Sequence, residues 1–442
     1  MAASGEWPRE GDHGVDTTME TVRQCPGCGA EVRTDRRFTA WCAACDWNVD
    51  PRGSDERHGA LERLRRGLAL RNGERLLAEV MSGATLKPQG DAATVLAYAL
   101  SLAVHGTTVA LLVTGVLLAV LGWGTAAPLL GGVLLLLAWL LRPRFGELPD
   151  DLPVLHRADA PQLFAMIDEV ADVAGTAGVH AVVVSDEVNA SVTTYGIRQR
   201  RLLDIGLGLW EILTPQQRIA LIGHELGHYA GGDTRRGLIT GNALRSLGIW
   251  HFMLQRVPSP TIGEMFLNAV YFLPRCAVLG LLMLLDRLTL RAAQRGEYLA
   301  DAAAARAGST EAAVGLMDRL LVADSAEAAL LRESNAGRMR RAGDKSYLEK
   351  WRGLWERLAA QIESIPESEI ERQRRASELR GHTVDATHPP THLRRACLLT
   401  GEPLTALVVP DEARLAAVAD ELAAPRERLA RRIVKDGRRE GR

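Results

Sequence analysis

His224-Glu225-Leu226-Gly227-His228 gathers two imidazoles and a carboxylate into about one and a half turns of helix. Residues at i and i+4 share a helix face, so both histidines can aim a ring nitrogen at one metal ion while Glu225 stands beside it as a general base. The preceding residues predict that helix. Thr214-Pro215-Gln216-Gln217 reads as a capping box with proline at the first helical position, and Ile219, Ala220, Leu221 and Ile222 lead into the motif. A pentapeptide of this kind also recurs by chance on surface helices, so its meaning depends on companions.

A catalytic zinc takes three protein ligands and keeps one position open. A third histidine six residues beyond His228 would complete one known pattern, but that position is Thr234. A glutamate from a later helix is the other common solution, and Arg295-Gly296-Glu297-Tyr298-Leu299-Ala300-Asp301 supplies it. Glu297 and Asp301 share a face at i and i+4, so Glu297 can ligate while Asp301 orients a ligand imidazole from behind.

A second metal site is written in cysteines. Four of the six form the pairs Cys25-Pro26-Gly27-Cys28 and Cys42-Ala43-Ala44-Cys45, with Val32, Phe38 and Trp41 between or beside them. The spacing predicts a zinc ribbon of two knuckles on a small hairpin, in which a structural zinc held by four thiolates replaces a missing core. A redox-active dithiol is the competing reading; two paired motifs this close favour the metal, and a reducing compartment. The expected complement is therefore two Zn2+ ions, one catalytic and one structural.

These residues have to be positioned by elements that the rest of the chain predicts. Its 442 residues are 47% hydrophobic but only 5% aromatic, which points to aliphatic helices and to more than one domain. With 53 basic against 54 acidic residues there is no electrostatic case for a nucleic-acid partner. Residues 1–21 read as a disordered lead with no apolar signal-peptide core, 22–50 as the ribbon and 51–91 as an amphipathic linker with a helix near 61–79. Residues 92–142 hold two apolar runs, 95–120 and 128–141, joined by the uncharged Gly122-Trp123-Gly124-Thr125. They predict a transmembrane hairpin, the second leg reaching the roughly 20 residues a bilayer needs only with the turn included. His105 is the one readily ionisable side chain in the first run, with a packing or hydrogen-bonding role at least as expected as a functional one. Arg63, Arg65, Arg66, Arg71, Arg75 and Lys87 before the hairpin, and Arg142, Arg144 and Arg157 after it, put both flanks in the cytoplasm.

Residues 143–426 form the expected hydrolase domain. A helix is predicted over 161–175, strands over 180–184, 188–195 and 201–205, and then the motif helix. Two further apolar stretches, 238–254 and 266–285, are ambiguous because Arg245 and Arg275 interrupt them, at about 2.5 to 3.5 kcal/mol each on insertion scales. Beyond residue 327 the chain turns charged, and 356–380 reads as solvated helix; 427–442 reads as a solvated basic tail.

Taken together, the ordered motifs resemble the M48 membrane metallopeptidases, which include HtpX-like quality-control proteases and CAAX prenyl proteases. Val188-Asn189-Ala190-Ser191 is similar to the family's active-site edge strand, and His224 to His228 with Asp233 to its first metal motif. Glu297 to Asp301 is similar to its Glu-x-x-x-Asp motif, and His388-Pro389-Pro390-Thr391-His392-Leu393-Arg394 to the segment that closes its site. The resemblance implies an α+β, mainly helical gluzincin-type domain with a small β-sheet, added to the hairpin and the ribbon. It implies Glu225 as catalytic base and nominates His388 as oxyanion donor, with Tyr195 or Arg394 as weaker candidates. Asn189, Ala190, Ser191 and Arg394 are then the residues expected against substrate, and Asp233 is expected to support the metal centre.

The expected activity is zinc endopeptidase action on membrane or membrane-proximal proteins from the cytoplasmic side of the cell membrane, with a peptide substrate and the lipid bilayer as partners. A tethered zinc-ribbon adaptor without proteolysis and prenyl-protein processing are the alternatives.

Overall fold

The computed structural model describes residues 20–51, 60–82, 92–230, 234–257, 261–338, 351–380 and 389–436. Asp233 and His388 lie outside these residues.

The first described element is a hairpin of β1 (Glu20–Gln24) and β2 (Glu31–Asp35), paired antiparallel from Glu20↔Asp35 to Gln24↔Glu31. Its first strand starts inside the stretch expected to be a disordered lead, because Thr21 and Val22 have Thr34 and Arg33 as cross-strand partners. Helix α1 (Ala60–Met81) follows, then α2 (Ala92–Leu121) and α3 (Ala127–Leu140), the two legs of the expected hairpin. Helix α2 is long and apolar enough to cross a membrane, about 45 Å against a ~30 Å hydrocarbon core. The 14 residues of α3 rise only about 21 Å, so its helical part falls short of a full crossing. Leu112, Val113, Val116 and Leu117 on α2 and Leu129, Leu136 and Trp139 on α3 are all exposed, which gives the pair an uncovered apolar surface.

A four-stranded sheet comes next, built from β3 (Val154–Leu155), β4 (Ala181–Ser185), β5 (Ala190–Tyr195) and β6 (Arg200–Gly206) in the order β3-β4-β6-β5. Strands β4 and β6 are parallel and the outer two pairs antiparallel. All five residues of β4 are buried because both faces are covered: Val182 and Val184 face the main core, Ala181 and Val183 a smaller cluster with Leu202. Helix α4 (Pro161–Ala174) starts with proline at its first position and stops at Gly175, whose φ of 75° is the left-handed C-cap that glycine adopts without strain. Leu163, Phe164, Ile167 and Val170 form its buried face.

After the short α5 (Leu207–Trp210) comes α6 (Pro215–Ala230), the motif helix. Its capping box is made as expected, the Gln217 amide donating to Thr214 Oγ1 at 3.3 Å and the Thr214 amide to Gln217 Oε1 at 3.0 Å. The two ambiguous apolar stretches become α7 (Thr234–Met253), α8 (Ile262–Val270) and α9 (Phe272–Gly308). Helices α8 and α9 meet at a 46° bend and together are long and apolar enough for a span. Ala97 and Val104 of α2, Ala243, Leu247 and Trp250 of α7 and Leu285 of α9 form one buried cluster, so these helices pack as a bundle. His105 Nε2 donates to the Ile239 carbonyl at 3.1 Å, which accounts for its place in the apolar run as a bond between α2 and α7.

The remaining helices among the described residues are α10 (Thr310–Leu321), α11 (Ala323–Arg338), α12 (Leu354–Glu363), α13 (Glu367–Arg380), α14 (Thr391–Leu398) and α15 (Glu412–Asp436). Two expectations fail here. Residues 356–380 are not simply solvated: Leu358 and Ile362 join the core, and Glu369 and Arg372 of α13 are buried as an ion pair at 2.7 Å. Nor does a solvated tail begin at 427, since Leu429, Ala430 and Ile433 of α15 enter the main core at helical spacing. In both places abundant arginine hid an apolar or paired face.

Candidate metal centre

Helix α9 runs 37 residues, about 55 Å, from the apolar bundle to the motif helix. Small residues let the two helices touch. A Cβ added to Gly227 would lie 2.7 Å from the Ala300 Cα, and one added to Gly308 2.9 Å from the Ala220 Cα. That close approach brings Glu297 to the two histidines: its carboxylate oxygens lie 3.6 Å from His224 Nε2 and 3.7 Å from His228 Nε2.

The ligand atoms of His224, His228 and Glu297 all fall within 4.8 Å of one another. Nitrogen and oxygen ligands at ~2.0–2.1 Å around a tetrahedral zinc sit about 3.4 Å apart, so the donor set and its spacing fit this metal. The imidazoles stand nearly perpendicular, at 83°. Glu225 is buried beside them, and the centre opens on the side of His228, whose side chain is 28% exposed against 7% for Glu297.

Behind His224 the chain builds a support. His224 Nδ1 donates to Asp301 Oδ1 at 3.0 Å, which turns Nε2 towards Glu297 and the metal position. Arg394 of α14 forks onto the same carboxylate, Nε to Oδ2 at 2.8 Å and Nη2 to Oδ1 at 2.6 Å. Burial by itself would raise the Asp301 carboxyl, but the Arg394 guanidinium and the His224 hydrogen bond hold it well below the usual carboxylate range. Burial pushes the His224 imidazole down, but the Asp301 hydrogen bond together with the negative charges of Asp301 and Glu297 outweighs burial and the nearby Arg394, so its basicity is raised.

Arg394, expected against substrate, is thus placed as a buried support of Asp301. Its side chain is 4% exposed and both its ion-pair partners, Asp301 and Glu297, lie on α9, because α14 enters behind the histidines rather than across the opening.

Strand β5 lies at the outer edge of the sheet and packs against α6. The Gly206 amide donates to the Asn189 carbonyl at 3.0 Å, and alternation from that pair turns the backbone groups of Ala190 and Val192 away from β6. Asn189 is exposed at the start of this edge, and Ser191 is paired with Asp204 in the register. Tyr195 sits at the far end, where the Gly196 amide donates to the Gly146 carbonyl at 2.9 Å. One residue the motifs did not single out ties edge to helix: the Tyr229 hydroxyl donates to the Thr193 carbonyl at 2.6 Å, under the Arg201 guanidinium. Its only signal in the sequence is its place directly after His228.

The four ribbon cysteines form the second cluster. Cys25 and Cys45 sulfurs are 3.6 Å apart, as are those of Cys28 and Cys42, and all four lie within 4.8 Å of one another. Four thiolates at ~2.3 Å around a tetrahedral zinc stand about 3.8 Å apart, so this set also fits the metal. Amides of the knuckle loops close around it, Gly27 N–H donating to Cys25 Sγ at 3.3 Å.

A profile of peptidase family M48 matches residues 157–400, a range that holds both metal-motif helices and α14 but not the ribbon or the apolar pair α2 and α3. Neither the curated proteins nor the solved structures provide a match to the chain.

Proposed function

The chain belongs to peptidase family M48, and from that premise we propose that it is a membrane-bound zinc endopeptidase that hydrolyses peptide bonds of membrane or membrane-proximal proteins in quality control or processing. The observation that carries the reading is the convergence of His224, His228 and Glu297 on one point, with Asp301 behind His224 and Glu225 beside it.

Zinc, when bound by these three residues, supplies Lewis acidity that makes water acidic enough to react near neutral pH and polarises the scissile carbonyl. Glu225 takes the proton of the attacking water and passes it to the leaving amine. Asp301 keeps His224 in the tautomer that presents Nε2, and Arg394 keeps Asp301 ionised. The free edge at Ala190 and Val192 holds a substrate backbone as an added strand, beginning beside Asn189. The nominated oxyanion donor His388 is kept as part of this reading on the strength of the sequence alone.

Membrane attachment is supported by the exposed apolar surfaces of α2 and α3, and by the uncovered Ile262, Met265, Phe266 and Leu273 along α8 and the start of α9. The basic residues on both flanks of 92–142 favour a cytoplasmic ribbon and centre. Purified protein in detergent should cleave an unfolded membrane protein, and Glu225→Gln should lower the rate by at least ~100-fold while the zinc content stays unchanged. Equal rates for wild type and variant would leave the adaptor reading in its place.

A further inference from the structure

The ribbon lies far from the metal-motif helices in sequence, yet it is bolted to α13, which packs against α10 and α14. The Trp41 indole donates to the Ser368 carbonyl at 3.1 Å, and buried Arg372, already forked onto Glu369, donates to the Val49 carbonyl at 2.7 Å. Arg375 donates to the Ala43 carbonyl and to Asp46, both at 2.7 Å, and its guanidinium covers the Trp41 ring. Arg380 closes the far end on Asp50 at 2.7 Å. Ala43 and Asp46 belong to the second knuckle itself, and Asp46 holds a positive φ of 55° that only the wrapped loop imposes.

From α13 the contact continues towards the histidines through one carboxylate. Asp318 of α10 receives Arg374 of α13 at 2.7 Å and Arg395 of α14 at 3.4 Å. Arg395 adjoins Arg394, which grips Asp301 and through it His224. On its other side α14 is held by α1, where Gly73 fits so closely that a Cβ would meet Leu393 at 2.9 Å and Pro390 at 3.6 Å. The Tyr298 hydroxyl donates to the Gly73 carbonyl at 3.2 Å, so α1, which follows the ribbon, is tied to the ligand helix as well.

We infer that the metal-loaded ribbon is a positioning clamp for the His224/His228/Glu297 centre, setting α13 and α14 and with them Arg394, so that metal loss from the cysteines loosens the distant centre. The physical reason is the size of the module. Cys25, Trp41, Cys42 and Val49 are its only buried apolar residues among those described, too few to hold the knuckle without four thiolates on a metal. When the knuckle unwraps, the carbonyls of Ala43 and Val49 leave Arg375 and Arg372, and α13 loses the partners that fix it.

This inference rests on both cysteine and histidine clusters holding zinc, and its test does not depend on proteolysis. Full-length protein in detergent is compared with the double variant Cys28→Ser/Cys45→Ser and with Arg375→Ala, which leaves every cysteine in place. Zinc per chain, zinc affinity by chelator competition and amide hydrogen exchange are measured on each. The cysteine variant should drop from two zinc ions to one, exchange faster over 367–380 and 391–398, and hold the remaining zinc about 10-fold or more weakly, the range expected when support behind a ligand is disturbed. Arg375→Ala should keep two zinc ions and show the same faster exchange over 391–398. Unchanged exchange over 391–398 and unchanged affinity of the remaining zinc in the cysteine variant would overturn the clamp. Should that variant fail to fold, unchanged exchange over 391–398 in Arg375→Ala would overturn it equally. A chain that passes this test but cleaves nothing would refute the peptidase reading and leave the clamp standing.

Discussion

At the scale of single residues, the chain places carboxylates in three different environments and obtains three behaviours. Glu297 faces the two imidazoles, Asp301 is held ionised by Arg394, and Asp204 is half-buried on β6 near Asp186 and Glu187. Burial pushes the Asp204 carboxyl up to about 6; the Ser185 hydroxyl at 2.8 Å pulls against this, and Glu187 and Asp186 add repulsion. An unfolded chain would hold that proton only to about pH 3.9, so the folded state binds it more tightly. The resulting stability is full below about pH 4 and is lost as the pH rises through about 6. Asp204→Asn keeps a partner for Ser185 and removes the half-buried charge. It should match wild type near pH 4 and exceed it by roughly 2 kcal/mol at pH 8 in denaturant unfolding. A gap that does not change with pH would refute the assignment. The pairing of His224 with His228, and of Glu297 with Asp301, was legible because covalent spacing alone puts i and i+4 on one face; that the two pairs meet as a group that could hold a metal was decided by the packing of α6 on α9. The burial of Arg394 against Asp301 was not legible, because nothing local says whether α14 enters from the open or the closed side.

At the scale of elements, the contact between α6 and α9 decides whether a centre exists. Gly223, Gly227 and Gly308 meet Ala304, Ala300 and Ala220 respectively with almost no side chain between the backbones, which lets Glu297 reach the histidines. Gly227→Ala should push the helices apart, at a cost of about 1–3 kcal/mol in stability, and weaken zinc binding measured by chelator competition. Gly296→Ala is the control. Its Cβ would meet nothing within 4 Å, so in mid-helix it should gain up to about 1 kcal/mol and leave the metal alone. Equal effects of the two substitutions would mean that helix propensity, not close packing, governs this contact. Helices α4 and α6 and three strands of the hydrolase region were legible from periodicity and capping residues. Their partners were not: the sequence read α13 as solvated, whereas it carries the ribbon on Arg372, Arg375 and Arg380.

At the scale of the whole molecule, two apolar excursions leave the hydrolase region, α2 with α3 and the bent pair α8 and α9, while α7 packs against both α2 and α9, which also touch each other. Arg275 lies in the second excursion beside Phe272, which its guanidinium covers at 5.9 Å. If these surfaces lie in lipid, the expressed protein should stay with the membrane fraction through high-salt and alkaline carbonate washes and be released by detergent; release by carbonate would remove the membrane from the proposed function. The sequence by itself determined which residues could bind metal, which runs are apolar enough for lipid and which family the chain resembles, because each rests on residue types at short, covalently fixed spacings. Only the tertiary structure decided that Arg394 lies behind His224, that β5 is at the sheet edge, that Leu429, Ala430 and Ile433 are core and that the ribbon grips α13. Those facts depend on which face of a polar helix meets a partner hundreds of residues away, and a charged face that is paired looks in sequence the same as one that is wet.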